Sequence, residues 1–409
     1  MENPQLISDS FWLSDSDHRN VQSTSQLPSS LEVVIIGGGI SGVSAAYWLG
    51  QLGVDVLLLE ERGLAEGATG RNGGHLAFGS NKDLVDAIAA HGAEEALSIW
   101  RFTQDVVELI RQFVDRHQVD CDLHFNSLAT LALTPLELEQ QRQSFEVMAK
   151  AGLPVEFWDQ DQAVQQTHSP HFLGGCLYKE HAQVWAVKLV SAIATVALQN
   201  GANIQTQTQV VEIERSQDSL IVHTPRCAIQ AKFVIHATNA YVRRLRPVLK
   251  DLIVPVRGQV IITNPVPPLW NFDWLTNHGY EYCLQRPDGR IVLGGMRWRS
   301  PAHEWNVEDD NQIEPSVSQG LREFLPNHFE VLRHVQIQQE WTGIMGFSPD
   351  DNPLIGELPG YPGEYIMAGY TGHGMSIAFG GGKAIAQMIK GQEPELPDSF
   401  SPARFRELQ

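Results

Sequence analysis

The chain has 409 residues, a formal charge of −19, 43% hydrophobic and 19% charged residues. That length exceeds a single hydrophobic core and predicts two domains, and the composition is that of an ordinary globular protein. The acidic balance argues against nucleic acid or an anionic membrane as partner; four scattered cysteines without a CxxC pair argue against a disulfide framework.

Residues 1–30 are polar and rich in Ser, Asp and Gln, and read as an extension lying on the surface. They contain no basic segment followed by an apolar one, and no apolar run in the chain reaches spanning length, so a soluble cytoplasmic protein is expected. Val33–Glu60 then reads as a complete βαβ unit. Val33–Ile36 is a β-branched strand, and Gly37, Gly39 and Gly42 fall in GxGxxG spacing, with Ile40 and Ser41 between them. A helix from Ser41 to Leu52 aims its first amides at a pyrophosphate, and Gly53 suits its C-terminal cap. Val56–Leu59 is the second strand. Glu60 stands at its end, where an acid accepts hydrogen bonds from a ribose 2′-hydroxyl. The unit implies an adenine dinucleotide.

A glycine-rich loop, Gly63–His75, follows, and Asp83–His117 has helical periodicity. Leu128–Thr134 reads as a strand, Leu136–Ala151 as a helix, and Trp185–Gly201 as an amphipathic helix. Alternating runs at Gln209–Ile213 and Ser219–His223 lead to a buried strand at Phe233–Thr238. From Ile253 the pattern is mostly strand, with a hairpin turn at Pro287-Asp288-Gly289. Gln312–Phe324 is helical. The last sector, Trp341–Lys390, has a strand, a TGHG turn and a helix through Ile389.

Three features favour FAD over NAD. The loop after Glu60 is long, glycine-rich and carries Arg71; a second strand–glycine–helix element lies at the far end of the chain; and no Tyr-x-x-x-Lys pair occurs. Arg297 and Arg299 alternate with Trp298, which predicts one strand face, either a carboxylate clamp or a solvated surface. Tyr280 and Tyr282 share a face as a wall for the cofactor or as core. His75, directly after the loop, is within reach of the cofactor's reactive edge or the substrate. Arg257 is either ion-paired inside the fold or a cofactor contact. His168 and His171 are interrupted by Pro170, so no metal site is expected.

In GGGISG with Glu60, GATGRNGG, VWAVKLV, VIHATNAY, PVRGQ, PDGRIVLGG, SPDDNPLIG and GYTGHG, running in order from about residue 31 to 390, the chain resembles the FAD-dependent D-amino acid oxidase superfamily, in its glycine, sarcosine and γ-glutamylputrescine oxidase-like branch. The resemblance implies an α/β fold: a Rossmann-like FAD-binding domain (31–90, 172–245 and 343–393) and a discontinuous substrate domain (91–171 and 246–342) rich in antiparallel sheet, with a tail at 394–409. It implies cofactor contacts from Glu60, Glu61 and Arg62, from Ala68, Thr69, Arg71, Asn72, Gly73 and Gly74, and from the backbone at Val210 and Val211. Ala237, Thr238 and Asn239 would close over the phosphates. Gly372, His373, Gly374 and Met375 would bring a helix N-terminus to the flavin's pyrimidine edge.

Gly343 stands where some sarcosine oxidases carry a flavin-linked cysteine, so FAD is expected to be non-covalent. Met375 and Ser376 stand where some of them carry a carboxylate-binding lysine. The activity implied is oxidation of an amine or amino acid C–N bond by hydride transfer to flavin N5. The imine then hydrolyses, and oxygen reoxidises the flavin to give hydrogen peroxide; the alternatives are a dehydrogenase of an amino acid or 2-hydroxy acid passing electrons to a quinone or carrier, and a flavin-binding protein without turnover. Substrate contacts are expected from His75, Arg297 and Tyr282.

Overall fold

The computed structural model describes residues 10–14, 20–405 and 408. Its centre is a sheet in which Glu364–Ala368, Ala228–His236, Ser30–Ile36, Val56–Leu59 and Asn203–Gln205 run parallel, in that spatial order. Leu354–Glu357 adds an antiparallel edge, and the hairpin Glu212–Ser216/Ser219–His223 extends Ala228–His236. Burial on both faces explains why Val33–Ile36 and Val56–Leu59 are continuous apolar runs rather than alternating ones.

The helix Ile40–Gln51 packs on this sheet between Ala186–Gln199 and Ala378–Ile389. The last contact is close because Gly382 faces the backbone of the first helix: a Cβ there would lie 2.8 Å from Ala45 N. A second sheet carries, in order, Ile337–Phe347, Val254–Thr263, Ile291–Gly294, Glu281–Gln285, Phe272–Thr276, His124–Leu131, Gly175–Gln183 and His75–Leu76, with Val155–Trp158 beside Gly175–Gln183. All of its pairs are antiparallel except Phe272–Thr276 with His124–Leu131. His75–Leu76 and Gly175–Gln183, placed by sequence in the cofactor domain, belong to this second sheet.

The structure corrects several local expectations. The periodic stretch 83–117 is two helices, Leu84–His91 and Ala93–His117, because Gly92 turns the chain at φ +83°. The extended run at 209–213 begins pairing only at Glu212. Arg297 and Arg299 do not share a strand face. Left-handed backbone at Gly295 (φ +127°) and Met296 (φ +60°) ends the strand, and Arg297–Arg299 is one 3₁₀ turn. The TGHG turn leads into a 3₁₀ turn, Gly374–Ser376, and the α-helix starts only at Ala378.

The largest correction concerns the N-terminus. Residues 1–9 and 15–19 of the expected surface extension lie outside the described residues, but Phe11, Trp12 and Leu13 are core. Trp12 is 1% exposed; its ring meets Phe11 and Trp185 edge-on, each at 5.6 Å between centroids. The Arg286 guanidinium lies 5.3, 5.2 and 4.9 Å from the ring centroids of Phe11, Trp12 and Trp185.

Candidate functional site

The glycine turn is set by sterics that no larger residue satisfies. Gly37 adopts φ +112°, and a Cβ on Gly42 would sit 1.8 Å from Gly37 O, so turn and helix touch backbone to backbone. Glu60, half-buried at the end of its strand, accepts hydrogen bonds from Gly38 N (2.6 Å) and Arg62 N (2.7 Å). Burial pushes its carboxyl upward against the pull of those two amides.

From this turn a cavity of about 730 Å³ runs between the two sheets. Gly37, Gly39, Ile40 and Ser41 line its start, with Glu60, Glu61 and Arg62 beside them. Val210 and Val211 border the same end, and Ala237, Thr238 and Asn239 cover it. The loop residues Ala68, Thr69, Arg71, Asn72 and Gly73 line the middle, opposite Gly343 and the segment Gly372, His373, Gly374 and Met375. His75, Tyr282 and Arg297 reach the same space. Gly42 and Gly74 do not line it: Gly42 seats the helix on the turn, and Gly74 backs onto the Trp12 ring.

The loop is held from behind by the N-terminal segment. Trp12 Nε1 donates to Asn72 O (2.7 Å), Ser10 Oγ donates to Gly70 O, and Trp185 Nε1 donates to Trp12 O (2.8 Å). Arg71 is buried and turned into protein, its guanidinium donating to Glu66 O (3.0 Å) and Thr342 O (3.1 Å) and lying 3.5 Å from Asp310. Asp310 also pairs with Arg62 at 3.1 Å. Sequence reading missed this acid, which has no motif around it. Arg257 proves to be ion-paired inside the fold, donating to Glu304 at 2.5 Å.

The far end of the cavity is aromatic and carries a guanidinium outside any direct ion pair among the described residues. Phe78, Trp100, Tyr178, Tyr280 and Tyr282 line it. The Arg297 guanidinium lies 4.5 Å from the Tyr280 ring centroid and 5.1 Å from that of Phe347, with no hydrogen bond or carboxylate partner among the described residues. Burial lowers its affinity for its proton, with the neighbouring tyrosines and Asp351 pulling the other way. A recess of about 210 Å³, lined by His278, Trp305 and Asp351, adjoins the main cavity at Arg297.

Burial pushes the Tyr282 phenol up to about 12 and the His75 imidazole down to about 4. Both are therefore neutral near pH 7. Arg299 points away, toward Glu323 at 3.3 Å. His168 and His171 do not converge on any third ligand; His171 packs edge-on to His328.

The cavity's polar lining has unfilled hydrogen-bond capacity. Thr238 Oγ1 and His373 Nδ1 are buried and without hydrogen-bond partners among the described residues. Together with the turn amides and the Glu60 carboxylate, they fit a long ligand with phosphates at one end and polar ring edges at the other. Residues 32–388 match the family described as FAD dependent oxidoreductase, and FAD is the group such a cavity holds.

The chain is 25% identical to the probable oxidoreductase OrdL of Rhizobium meliloti over 372 residues, covering 89% of this chain and 84% of the relative. It is 27% identical to the gamma-glutamylputrescine oxidoreductase of Escherichia coli over 383 residues, covering 90% and 86%. Among solved structures, glycine oxidase from Geobacillus kaustophilus superposes with a TM-score of 0.80 at 20% identity, over 92% of this chain and 100% of that one. That likeness establishes a shared fold. No helix among the described residues is long and apolar enough to cross a membrane.

Proposed function

The chain belongs to the FAD dependent oxidoreductase family, and from that premise we propose that it oxidises the C–N bond of an amine or amino acid that carries a carboxylate. The observation that carries this reading is Arg297, a half-buried guanidinium with no direct ion-pair partner among the described residues, at the end of the cofactor cavity. Such a cation is matched by a planar anion, and a carboxylate fits its donor fork in two parallel hydrogen bonds. The names of the Escherichia coli relative and of the glycine oxidase sharing the fold support the amine class.

FAD, when bound, supplies the two-electron acceptor for this oxidation. The protein's part is to hold and orient. The turn at Gly37–Gly39 would take the pyrophosphate, Glu60 the ribose, the loop from Ala68 to Gly73 the middle of the cofactor, and Gly372–Gly374 its pyrimidine edge. Arg297 would fix the substrate's carboxylate, with Tyr280 and Tyr282 walling the reacting carbon. Tyr282 keeps its proton and serves as a hydrogen-bonding wall rather than a base. Burial favours the uncharged form of the His75 imidazole at that edge.

The test is anaerobic mixing of the yellow holoprotein with a panel of amines, amino acids and polyamine conjugates, with and without a carboxylate, and of 2-hydroxy acids. Bleaching of the flavin band by carboxylate-bearing amines supports the reading; bleaching by 2-hydroxy acids alone, or by nothing in the panel, overturns it. We assign oxygen as the acceptor. Peroxide formed in step with substrate supports that assignment, and dye reduction without peroxide replaces it with a quinone or carrier.

A further inference from the structure

Beside the cofactor cavity, two imidazoles and a carboxylate converge, the one such cluster of potential ligands among the described residues. His75 Nδ1 lies 3.2 Å from His181 Nε2, His181 Nε2 lies 3.0 Å from Asp273 Oδ2, and His75 Nδ1 lies 3.9 Å from Asp273 Oδ2. The point in their plane equidistant from the three atoms is about 2.0 Å from each, the length of zinc's bonds to imidazole nitrogen and carboxylate oxygen, and tetrahedral coordination needs the His75–Asp273 separation to close by about half an ångström.

The fold builds this convergence from three strands of the second sheet. His75 opens His75–Leu76 and pairs with Gln183 of Gly175–Gln183; His181 is two residues back on that strand and so on the same face. Asp273 comes from Phe272–Thr276, on the other side of His124–Leu131. Gln183 Nε2 donates to Asp273 Oδ1 at 2.7 Å, which fixes the carboxylate plane and leaves Oδ2 directed at the histidines.

Neutral imidazoles do not satisfy this arrangement. Asp273 is 1% exposed, and its Oδ2 has no hydrogen-bond partner despite the 3.0 Å approach of His181 Nε2. If His75 donates to His181, a nitrogen lone pair faces the carboxylate. If His181 donates to His75, its hydrogen is directed away from Oδ2. No lysine or arginine among the described residues pairs with this buried acid, so its Oδ2 faces the two imidazoles without a donor aimed at it.

We propose that His75, His181 and Asp273 bind a divalent first-row metal ion of the zinc class, with Gln183 as the positioning residue for Asp273. Two nitrogens and one oxygen form a donor set suited to such ions, and three protein ligands leave a further position for water. The site adjoins the cofactor cavity, since His75 lines it and its ring meets Tyr282 edge-on at 5.9 Å.

The experiment uses the full-length, FAD-loaded protein without a histidine tag. It is stripped with chelator, dialysed against Zn²⁺, desalted and analysed for metal by mass spectrometry. In parallel, Co²⁺ is titrated and its absorption read at wavelengths beyond the flavin band. One Zn²⁺ per chain and a saturable Co²⁺ spectrum are expected. His181→Ala and Asp273→Asn should abolish both, and Gln183→Leu should weaken binding roughly 10- to 100-fold.

Wild-type holoprotein that retains no Zn²⁺ and gives no Co²⁺ bands overturns the proposal and leaves a shared proton in the metal's place. Equal binding by wild type and Asp273→Asn overturns it as well, by placing the metal on surface histidines. If the ligand variants do not fold, wild-type stoichiometry together with Gln183→Leu decides.

Discussion

Trp12→Ala offers the sharpest test of how the cofactor loop is supported. The indole is buried, and truncating a buried tryptophan costs about 3–5 kcal/mol because packing is lost and a cavity remains. One component acts directly on the loop. Trp12 Nε1 donates to Asn72 O at 2.7 Å, a bond with a net contribution of about 1–1.5 kcal/mol, and its removal leaves a part-buried carbonyl unpaired. Since every 1.4 kcal/mol is a factor of ten, FAD binding should weaken roughly tenfold. The remainder should appear as lower thermal stability, through lost contacts with Phe11, Trp185 and the Arg286 guanidinium.

Trp12→Phe keeps a ring against Gly74 but loses the donor, so it should show most of the affinity loss and a smaller part of the stability loss. Titration of apoprotein with FAD, followed by quenching of flavin fluorescence, reads the first quantity. Heating until the flavin is released reads the second. If Trp12→Ala binds FAD within twofold of wild type and unfolds at the same temperature, the segment does not brace the loop and the reasoning fails.

Gly42→Ala places a Cβ 1.8 Å from Gly37 O, a contact that must move the turn off the helix; the variant should purify colourless, checked by its flavin absorbance per chain. Arg297→Gln should raise KM for carboxylate-bearing amines roughly 10- to 100-fold, the weight of a charge-assisted pair, while amines lacking a carboxylate show no change in steady-state kinetics. Acid should destabilise the fold through the buried contact of His236 Nε2 with Glu364 (2.7 Å). Burial holds the His236 imidazole below its ordinary value. For Glu364, burial pushes upward, but hydrogen bonds from His236 and Arg246 outweigh it and hold the carboxyl low. Both groups thus bind protons more readily in the unfolded chain, so stability is full above about pH 6.5 and falls as the solution is acidified. Urea unfolding at a series of pH values checks this, and Glu364→Gln should flatten the acid limb below about pH 5.

The parts of the site legible in sequence are those made by near neighbours in the chain. Strand, glycine turn, helix, strand and Glu60 occupy a single stretch, each residue type dictated by local sterics, and the structure reproduces that register. The buried N-terminal segment was illegible because three apolar residues in a polar stretch give no periodicity; only the distant Trp185 and Arg286 make Trp12 a core residue. Arg297 and Arg299 read as strand neighbours because alternation does not record the left-handed turn at Gly295 and Met296 that ends the strand before them. His75 and His181 are 106 residues apart, and nothing in either's surroundings announces the other. Their meeting depends on a strand pair that local propensity cannot encode.

The order in which the cavity walls are synthesised has a consequence for biogenesis. Its glycine turn is among the first elements made, yet the strand beside it in the sheet, Ala228–His236, comes far later, and the segment Tyr370–Ser376 closes the cavity near the end of the chain. Pairings of such separation form slowly and only once both partners exist. Cofactor capture therefore follows translation, and a nascent chain holds the Val33–Ile36 and Val56–Leu59 strands without the ligand or the neighbouring strand Ala228–His236, and a C-terminally truncated one leaves the helix Ile40–Gln51 without Ala378–Ile389 against it. Flavin supply during expression should thus govern the soluble yield of this protein as well as its colour.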